Sequence, residues 1–152
     1  MSDVFLSVKD LVVEYTSDKK VIHAVNGVSF DLKRGQTLGL VGETGAGKTS
    51  IAKAIIGVLP DPPAKIVQGS IFLDGEDLLK QSQKAMQKIR GKKISMIFQD
   101  PMTALNPVMR IGDQIAETVR LHHKDMSRAD AQKRAIEMLT TVGITPERYR
   151  EY

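Results

Sequence analysis

The run Gly42-Glu43-Thr44-Gly45-Ala46-Gly47-Lys48-Thr49 carries the residue types that bind a phosphate chain. Its pattern is Gly, four residues, Gly, Lys, then Ser or Thr, which is the phosphate-binding loop. Glycines let the backbone curl until successive N–H groups form an anion-binding nest. A helix that opens directly after the loop adds its unpaired N-terminal N–H groups and the positive end of its dipole. Lys48 then supplies a point charge to the β- and γ-phosphates, and the Thr49 hydroxyl a ligand for Mg²⁺. The chemistry indicated is binding of a nucleoside triphosphate, with Ser50 continuing the polar row at the start of the helix.

Such a loop works only between a strand and a helix. Gln36-Thr37-Leu38-Gly39-Leu40-Val41 reads as a short buried strand running into Gly42. Ser50 to Ile56 reads as a helix, with Ile51, Ala54, Ile55 and Val58 near helical spacing. The bland alternative, a glycine-rich turn with a solvated lysine, does not require this order of elements.

Before the loop the chain is β in character. Val4 to Tyr15 is rich in Val, Leu, Phe and Tyr and predicts a strand. Thr16 to Lys20 is polar and turn-like. Val21 to Val25 and Val28 to Leu32 resume the strand pattern, and Asn26-Gly27 between them reads either as a hairpin turn or as a bulge. After the helix, Leu59-Pro60-Asp61-Pro62-Pro63 must be a connection, because proline cannot continue a helix. Ile66 to Leu73 predicts a strand and Asp74-Gly75 a tight turn. Leu78 to Arg90 has Leu79, Met86 and Ile89 at loose helical spacing, and Ile94 to Phe98 reads as another apolar strand.

The last third predicts two helices. Ile111, Ile115, Val119 and His122 fall on one helical face. Ser127-Arg128-Ala129-Asp130 fits a helix-start capping pattern. An apolar stripe of Ala131, Ala135, Met138, Leu139 and Val142 follows, with Gly143 as the stop and Pro146 beyond it. His122 and His123 beside Asp125 invite a metal reading, but adjacent residues do not face each other on a helix. Cations at a helix C-terminus are the simpler account.

The composition excludes several classes. A chain of 152 residues is long enough for a real core, and 41% hydrophobic with 26% charged residues is ordinary for a globular protein. There is no cysteine, so disulfides and thiolate metal sites are excluded within these residues. A net charge of +4 is too mild to imply nucleic acid by itself. The basic stretch Gln87 to Lys93 has no interleaved aromatic residue of the kind that stacks bases, so no nucleic-acid partner is expected. Neither a secretory signal nor a run of membrane-spanning length is visible.

With these motifs in order, the chain resembles the N-terminal part of the ATP-binding subunit of an ABC transporter, most closely the peptide and nickel importer branch. The loop Gly42 to Thr49 matches the Walker A loop. The string Phe98-Gln99-Asp100-Pro101-Met102-Thr103-Ala104-Leu105-Asn106-Pro107 is very like that branch's Q-loop. The resemblance implies an α/β fold, a P-loop NTPase of ABC type. It has an antiparallel β subdomain, a partial parallel-sheet core and the start of the helical subdomain. Residues 1–100 would be the N-terminal part of the nucleotide-binding core with its antiparallel subdomain, and 101–152 the Q-loop and the start of the helical subdomain.

The same resemblance assigns roles. Tyr15, near the end of the first strand, would stack on adenine. Gly42, Glu43, Thr44, Gly45, Ala46, Gly47, Lys48, Thr49 and Ser50 would bind ATP. Lys48 would act on the transferring phosphate. Gln99 would sense Mg²⁺ and position the attacking water, a role that suits a neutral amide. Thr49 and Gln99 would be the protein's Mg²⁺ ligands. The implied cofactors are ATP and Mg²⁺, and the implied partners are transmembrane permease subunits and a second ATP-binding subunit. The expected location is cytoplasmic, on the inner face of the cell membrane through those permeases.

Features of the family are missing from these residues: the Ser-Gly-Gly signature, an apolar strand ending in Asp then Glu, and a switch histidine. His23, His122 and His123 stand in other regions. The chain therefore reads as a truncated domain that binds ATP at most, and as one that is weakly stable or self-associating. Two further readings stay open. One is a non-hydrolytic nucleotide-binding or interaction fragment. The other is a complete small P-loop NTPase of another class with Asp100 as the metal ligand.

Overall fold

A computed structural model of the chain describes residues 3–17, 20–100 and 104–152. It divides into two compact units, Met1–Met96 and Ile97–Tyr152.

The first unit is built on an antiparallel sheet in the order β2-β1-β3-β4. The strands are β1 (Val4–Ser17), β2 (Lys20–Lys33), β3 (Ala64–Leu73) and the short β4 (Glu76–Asp77). Strand β1 does not alternate cleanly. Its buried apolar residues are Leu6 and Val8, then Leu11 and Val13. A bulge at Lys9 and Asp10 supplies the extra residue that restores the phase, so both pairs face the core. Asp10 has a positive φ of 46°. Its N–H donates to the Ser29 hydroxyl oxygen at 2.7 Å, and that hydroxyl donates back to the Asp10 carboxylate at 3.1 Å. Opposite the bulge stands Gly69, where a Cβ would lie 2.6 Å from the Lys9 carbonyl oxygen. A side chain there would push the bulge out of the sheet.

The Asn26-Gly27 ambiguity resolves as a bulge. Strand β2 runs through it without turning, and the register slips between Val28 and Asn26 with Gly27 at φ 70°. The Asp74-Gly75 turn forms as expected, with both residues at positive φ. The polar turn expected at Thr16 to Lys20 is centred on residues 18 and 19, which lie outside the described residues.

Helix α1 (Lys48–Ile56) lays Ile51, Ala54 and Ile55 on the sheet's inner face, against Val8, Leu11, Val13, Val25, Ile71 and Leu73. Each of these larger side chains contributes about 1.5–3 kcal/mol on burial. Val58 lies beyond the helix end and is partly exposed, because Gly57 at φ 69° has already turned the chain. The region read as one loose helix, Leu78 to Arg90, is two pieces. A 3₁₀ turn at Leu78–Lys80 comes first, then α2 (Gln83–Ile89) starts afresh where the Ser82 hydroxyl accepts from the Ala85 N–H at 3.2 Å. Leu78, Met86 and Ile89 close the core from that side.

Two strands expected from the sequence are not formed. Residues 36–41 join no sheet among the described residues, and of 94–98 only Ile94 makes an isolated parallel bridge, to Arg90. Strand pairing needs a neighbour alongside to supply N–H and C=O groups, and none of the described strands pairs with either segment. The consequence is apolar exposure: Val41 is 96% exposed and Ile97 95%. The 152-residue chain produced alone is therefore expected to self-associate, since unpaired apolar edges recruit other chains. Sedimentation velocity across a concentration series checks this. A concentration-independent monomer with a sharp melting transition would overturn it.

The second unit pairs α3 (Ile111–His122) with α4 (Arg128–Thr141). Both begin where the sequence places them. The Ser127 hydroxyl accepts from the Asp130 N–H at 3.1 Å, which is the expected cap. Small residues make the contact: Ala116, Ala131 and Ala135 are buried and packed together. The expected stripe on α4 is narrower than its pattern, because Ala131, Ala135 and Leu139 are buried while Met138 and Val142 stay largely exposed. The 3₁₀ turn Pro146–Arg150 docks back on the helix pair. The Tyr149 hydroxyl donates to Asp113 at 2.9 Å, and the Ile111 N–H donates to the Glu151 carbonyl at 2.8 Å. Burial, and then the Asp113 carboxylate, holds the Tyr149 phenol above its ordinary pKa. The Tyr149 ring lies over Gly112, where a Cβ would come within 2.0 Å of it, a constraint invisible to helical periodicity. No helix among the described residues is long and apolar enough to cross a membrane.

Candidate functional site

The site is built on the first unit, where β2 and α1 meet. Gly47 is the residue that seats the loop. It caps α1 at φ 85° and ψ 0°, and its carbonyl accepts from the Ile51 N–H at 2.9 Å. A Cβ on Gly47 would fall 2.1 Å from the Ala24 carbonyl oxygen of β2. Glycine is needed there twice over, once for the left-handed backbone and once for the close approach. Gly45 is also left-handed, at φ 87°, but nothing stands within 4 Å of its Cβ position. The loop closes on itself through the Ala46 N–H, which donates to the Glu43 carbonyl at 3.1 Å.

Lys48 is the first residue of α1 and folds back across this loop. Its ammonium donates to the Gly42 carbonyl at 2.6 Å and to the Glu43 carbonyl at 2.7 Å. The loop thus holds its own cation at its mouth. Among the described residues no acceptor takes the N–H groups of Gly45, Gly47, Lys48, Thr49 or Ser50. A helix start leaves such donors unpaired by geometry, and together with a nearby ammonium they suit an anion of several oxygens. The Thr49 side chain is exposed, and its hydroxyl has no partner among the described residues.

Tyr15 lies on β1 opposite Ile22 of β2 and Ala64 of β3. Its ring is half-buried and packs at the margin of the core. Its hydroxyl reaches the Ser50 hydroxyl at 3.2 Å. Sequence reasoning placed both residues in the site but had no signal for this bond, which spans the sheet and the helix. It also missed Arg90. The Arg90 Nε donates to the Ile56 carbonyl at 2.8 Å and a second nitrogen donates to the Gly57 carbonyl, satisfying the C-terminal end of α1. Tyr15, Gly42 to Ser50 and Arg90 therefore belong to one packed unit.

Gln99 belongs to the second unit and is exposed, as is the neighbouring Asp100. Pro101, Met102 and Thr103 of the expected Q-loop lie outside the described residues. The loop's far side is ordered around Asn106: the Gln114 side chain accepts from the Asn106 N–H at 2.8 Å and donates to the Asn106 carbonyl at 3.0 Å. Among the described residues no group of three or more His, Cys, Asp or Glu is disposed to hold a metal ion, His122 and His123 included.

Comparison with known proteins places this geometry in context. The family model described as ABC transporter matches residues 25–152. The dipeptide transport ATP-binding protein DppD of Bacillus subtilis is 48% identical over 149 residues, covering 97% of this chain and 44% of that protein. The oligopeptide transport ATP-binding protein OppD of the same organism is 47% identical over 139 residues, covering 91% and 38%. The DppD protein of Lactococcus lactis is 50% identical over 139 residues, covering 91% and 40%. The chain thus spans about two fifths of the length of these relatives, which match at 38–44% of their own length. Among solved structures, a dimeric bacterial ABC transporter cassette superposes with a TM-score of 0.82 at 22% identity, covering 97% of this chain and 60% of that one. A dimeric ATP-binding cassette in a post-hydrolysis state, bound to ADP and Pi, superposes with a TM-score of 0.80 at 19% identity, covering 96% and 60%. At these identities the superpositions establish the fold, an ABC-type α/β cassette in part.

Proposed function

Because the chain belongs to the ABC transporter family, we propose that it is the phosphate-binding portion of an ATP-binding subunit that powers uptake of peptides. One observation carries the reading. Among the described residues the N–H groups of Gly45, Gly47, Lys48, Thr49 and Ser50 have no acceptor, and the Lys48 ammonium donates to the Gly42 and Glu43 carbonyls of the same loop. The relatives named for dipeptide and oligopeptide transport support the substrate class.

In this reading residues 1–100 are the core of the nucleotide site and 101–152 begin the helical subdomain that meets a permease. The loop N–H groups and Lys48 receive the β- and γ-phosphates, and Tyr15 stacks on the base. Mg²⁺ would supply positive charge that neutralises the phosphates. Thr49 and Gln99 would hold it, in keeping with an ion that keeps most ligands from water and substrate phosphates. Phosphoryl transfer to water then depends on position and charge stabilisation. Gln99 orients the water. These residues contain no carboxylate assigned as its base, so the 152-residue chain alone is expected to bind ATP without releasing phosphate. The intact subunit would work as a pair, with permeases, at the inner face of the membrane.

The experiment is ATP-driven uptake by membrane vesicles carrying the intact subunit with its permeases, using labelled dipeptide, oligopeptide and nickel in parallel. Peptide uptake that needs ATP is expected. Nickel uptake without peptide uptake would replace the substrate class, and no ATP-driven uptake of any of them would overturn the reading.

A further inference from the structure

The Tyr15–Ser50 contact has more in it than packing. Tyr15 shares a face of β1 with Val13, which is fully buried, and sits across from Ala64, which is also buried. Beyond it the strand passes into exposed Thr16 and Ser17. Tyr15 is therefore the last residue of that face whose ring rests on the core. A phenylalanine would fill the same space. The phenol adds a directional anchor, and its partner among the described residues is the Ser50 hydroxyl at 3.2 Å. Ser50 is the third residue of α1, within the helix start whose N–H donors have no acceptor among the described residues.

We infer that Ser50 is a positioning residue for Tyr15: its hydroxyl fixes the Tyr15 ring in the attitude from which it meets a nucleobase, and so ties base recognition to the phosphate-binding helix. The inference rests on the proposed nucleotide site. Its physical content is pre-organisation. A ring pinned at both its Cβ and its hydroxyl loses little further freedom when a base stacks on it, and a ring pinned only at Cβ pays that cost on binding.

The test measures affinity of the intact protein for ATP and for inorganic tripolyphosphate, which has no base to stack. Tyr15→Phe keeps the ring and removes the anchor. It is expected to weaken ATP binding about three- to tenfold, the worth of one pre-ordered side chain, with tripolyphosphate affinity unchanged. Ser50→Ala should lower the ratio of ATP to tripolyphosphate affinity by the same factor, whatever it does to phosphate binding itself. The double variant should lower that ratio no further, because both changes cut one bond. Ser50→Thr, which keeps a hydroxyl, should restore it.

An unchanged ratio in Tyr15→Phe overturns the inference, and so do independent, multiplying effects in the double variant. A lower melting temperature with an unchanged ratio marks a merely structural bond and also overturns it. The underlying nucleotide reading fails by a different sign: Lys48→Ala that leaves tripolyphosphate binding intact.

Discussion

Replacing Lys48 by alanine is expected to weaken ATP binding by roughly a hundredfold, about 2.7 kcal/mol. The ammonium is already at the loop's mouth, donating to the Gly42 and Glu43 carbonyls. No large movement is needed for it to share those bonds with phosphate oxygens. A hydrogen bond to a charged group is worth about 1.5–3 kcal/mol, so losing one or two such bonds sets the scale. Folding should be nearly unaffected. Lys48 is a helix-start residue with a partly exposed side chain, alanine is a good helix former, and surface changes of that kind stay within about 0.5 kcal/mol. Lys48→Arg is not expected to rescue binding, because the wider planar guanidinium does not replace a compact point charge. Calorimetric titration with ATP and with tripolyphosphate decides the matter. Unchanged affinity in Lys48→Ala would remove the phosphate-loop assignment.

Gly47→Ala should instead break the fold around the site. A Cβ at that position meets the Ala24 carbonyl oxygen at 2.1 Å, the Ala24 carbonyl carbon at 3.2 Å and the Val25 side chain at 3.4 Å. The first two are backbone and cannot swing aside, so α1 and β2 must separate. Overpacking of this sort costs about 1–3 kcal/mol. The left-handed backbone at φ 85° adds about 1–2 kcal/mol for any L side chain. The sum, about 2–5 kcal/mol, is a large share of a domain's typical 5–15 kcal/mol. Gly45→Ala is the matched comparison, with nearly the same φ at 87° and open space around its Cβ. It should cost only the backbone term of about 1–2 kcal/mol. Urea midpoints of the two variants separate the causes. Equal losses would mean that contact with β2 is not what requires glycine at position 47.

The comparison of these two glycines shows how far a sequence can be read. The motif asks for glycine at both positions and cannot rank them. Position 45 needs only a conformation, which the local chain provides. Position 47 needs space beside a strand more than twenty residues earlier, and only the packed fold reveals that neighbour. The same holds for Gly69 beneath the β1 bulge and for Gly112 beneath Tyr149. Each is a contact between distant residues with no local signature.

The strands tell the converse story. Gln36 to Val41 and Ile94 to Phe98 read as short apolar strands, yet among the described residues they join no sheet beyond the single Ile94 bridge. Composition measures a preference for a pleated, half-buried surface, and the preference is realised only when a neighbour supplies the ladder. Helix α4 needed no such neighbour to begin where the sequence places it, because its helical hydrogen bonds and its Ser127 cap are local, whereas the first N–H of α3 has no side-chain cap and is taken by the distant Glu151 carbonyl.

The amino-acid sequence by itself determined the local features: the glycine-rich loop with the helix behind it, the strand-rich beginning and the Ser127 helix cap. These depend on neighbours along the chain, whose spacing is written in the order of residues. The tertiary structure alone decided which glycine is held by packing, that Tyr15 is anchored on Ser50, that Arg90 closes the end of α1, and which apolar segments stay unpaired. Those depend on neighbours in space, and a contact across the fold leaves no period or motif by which it can be read in advance.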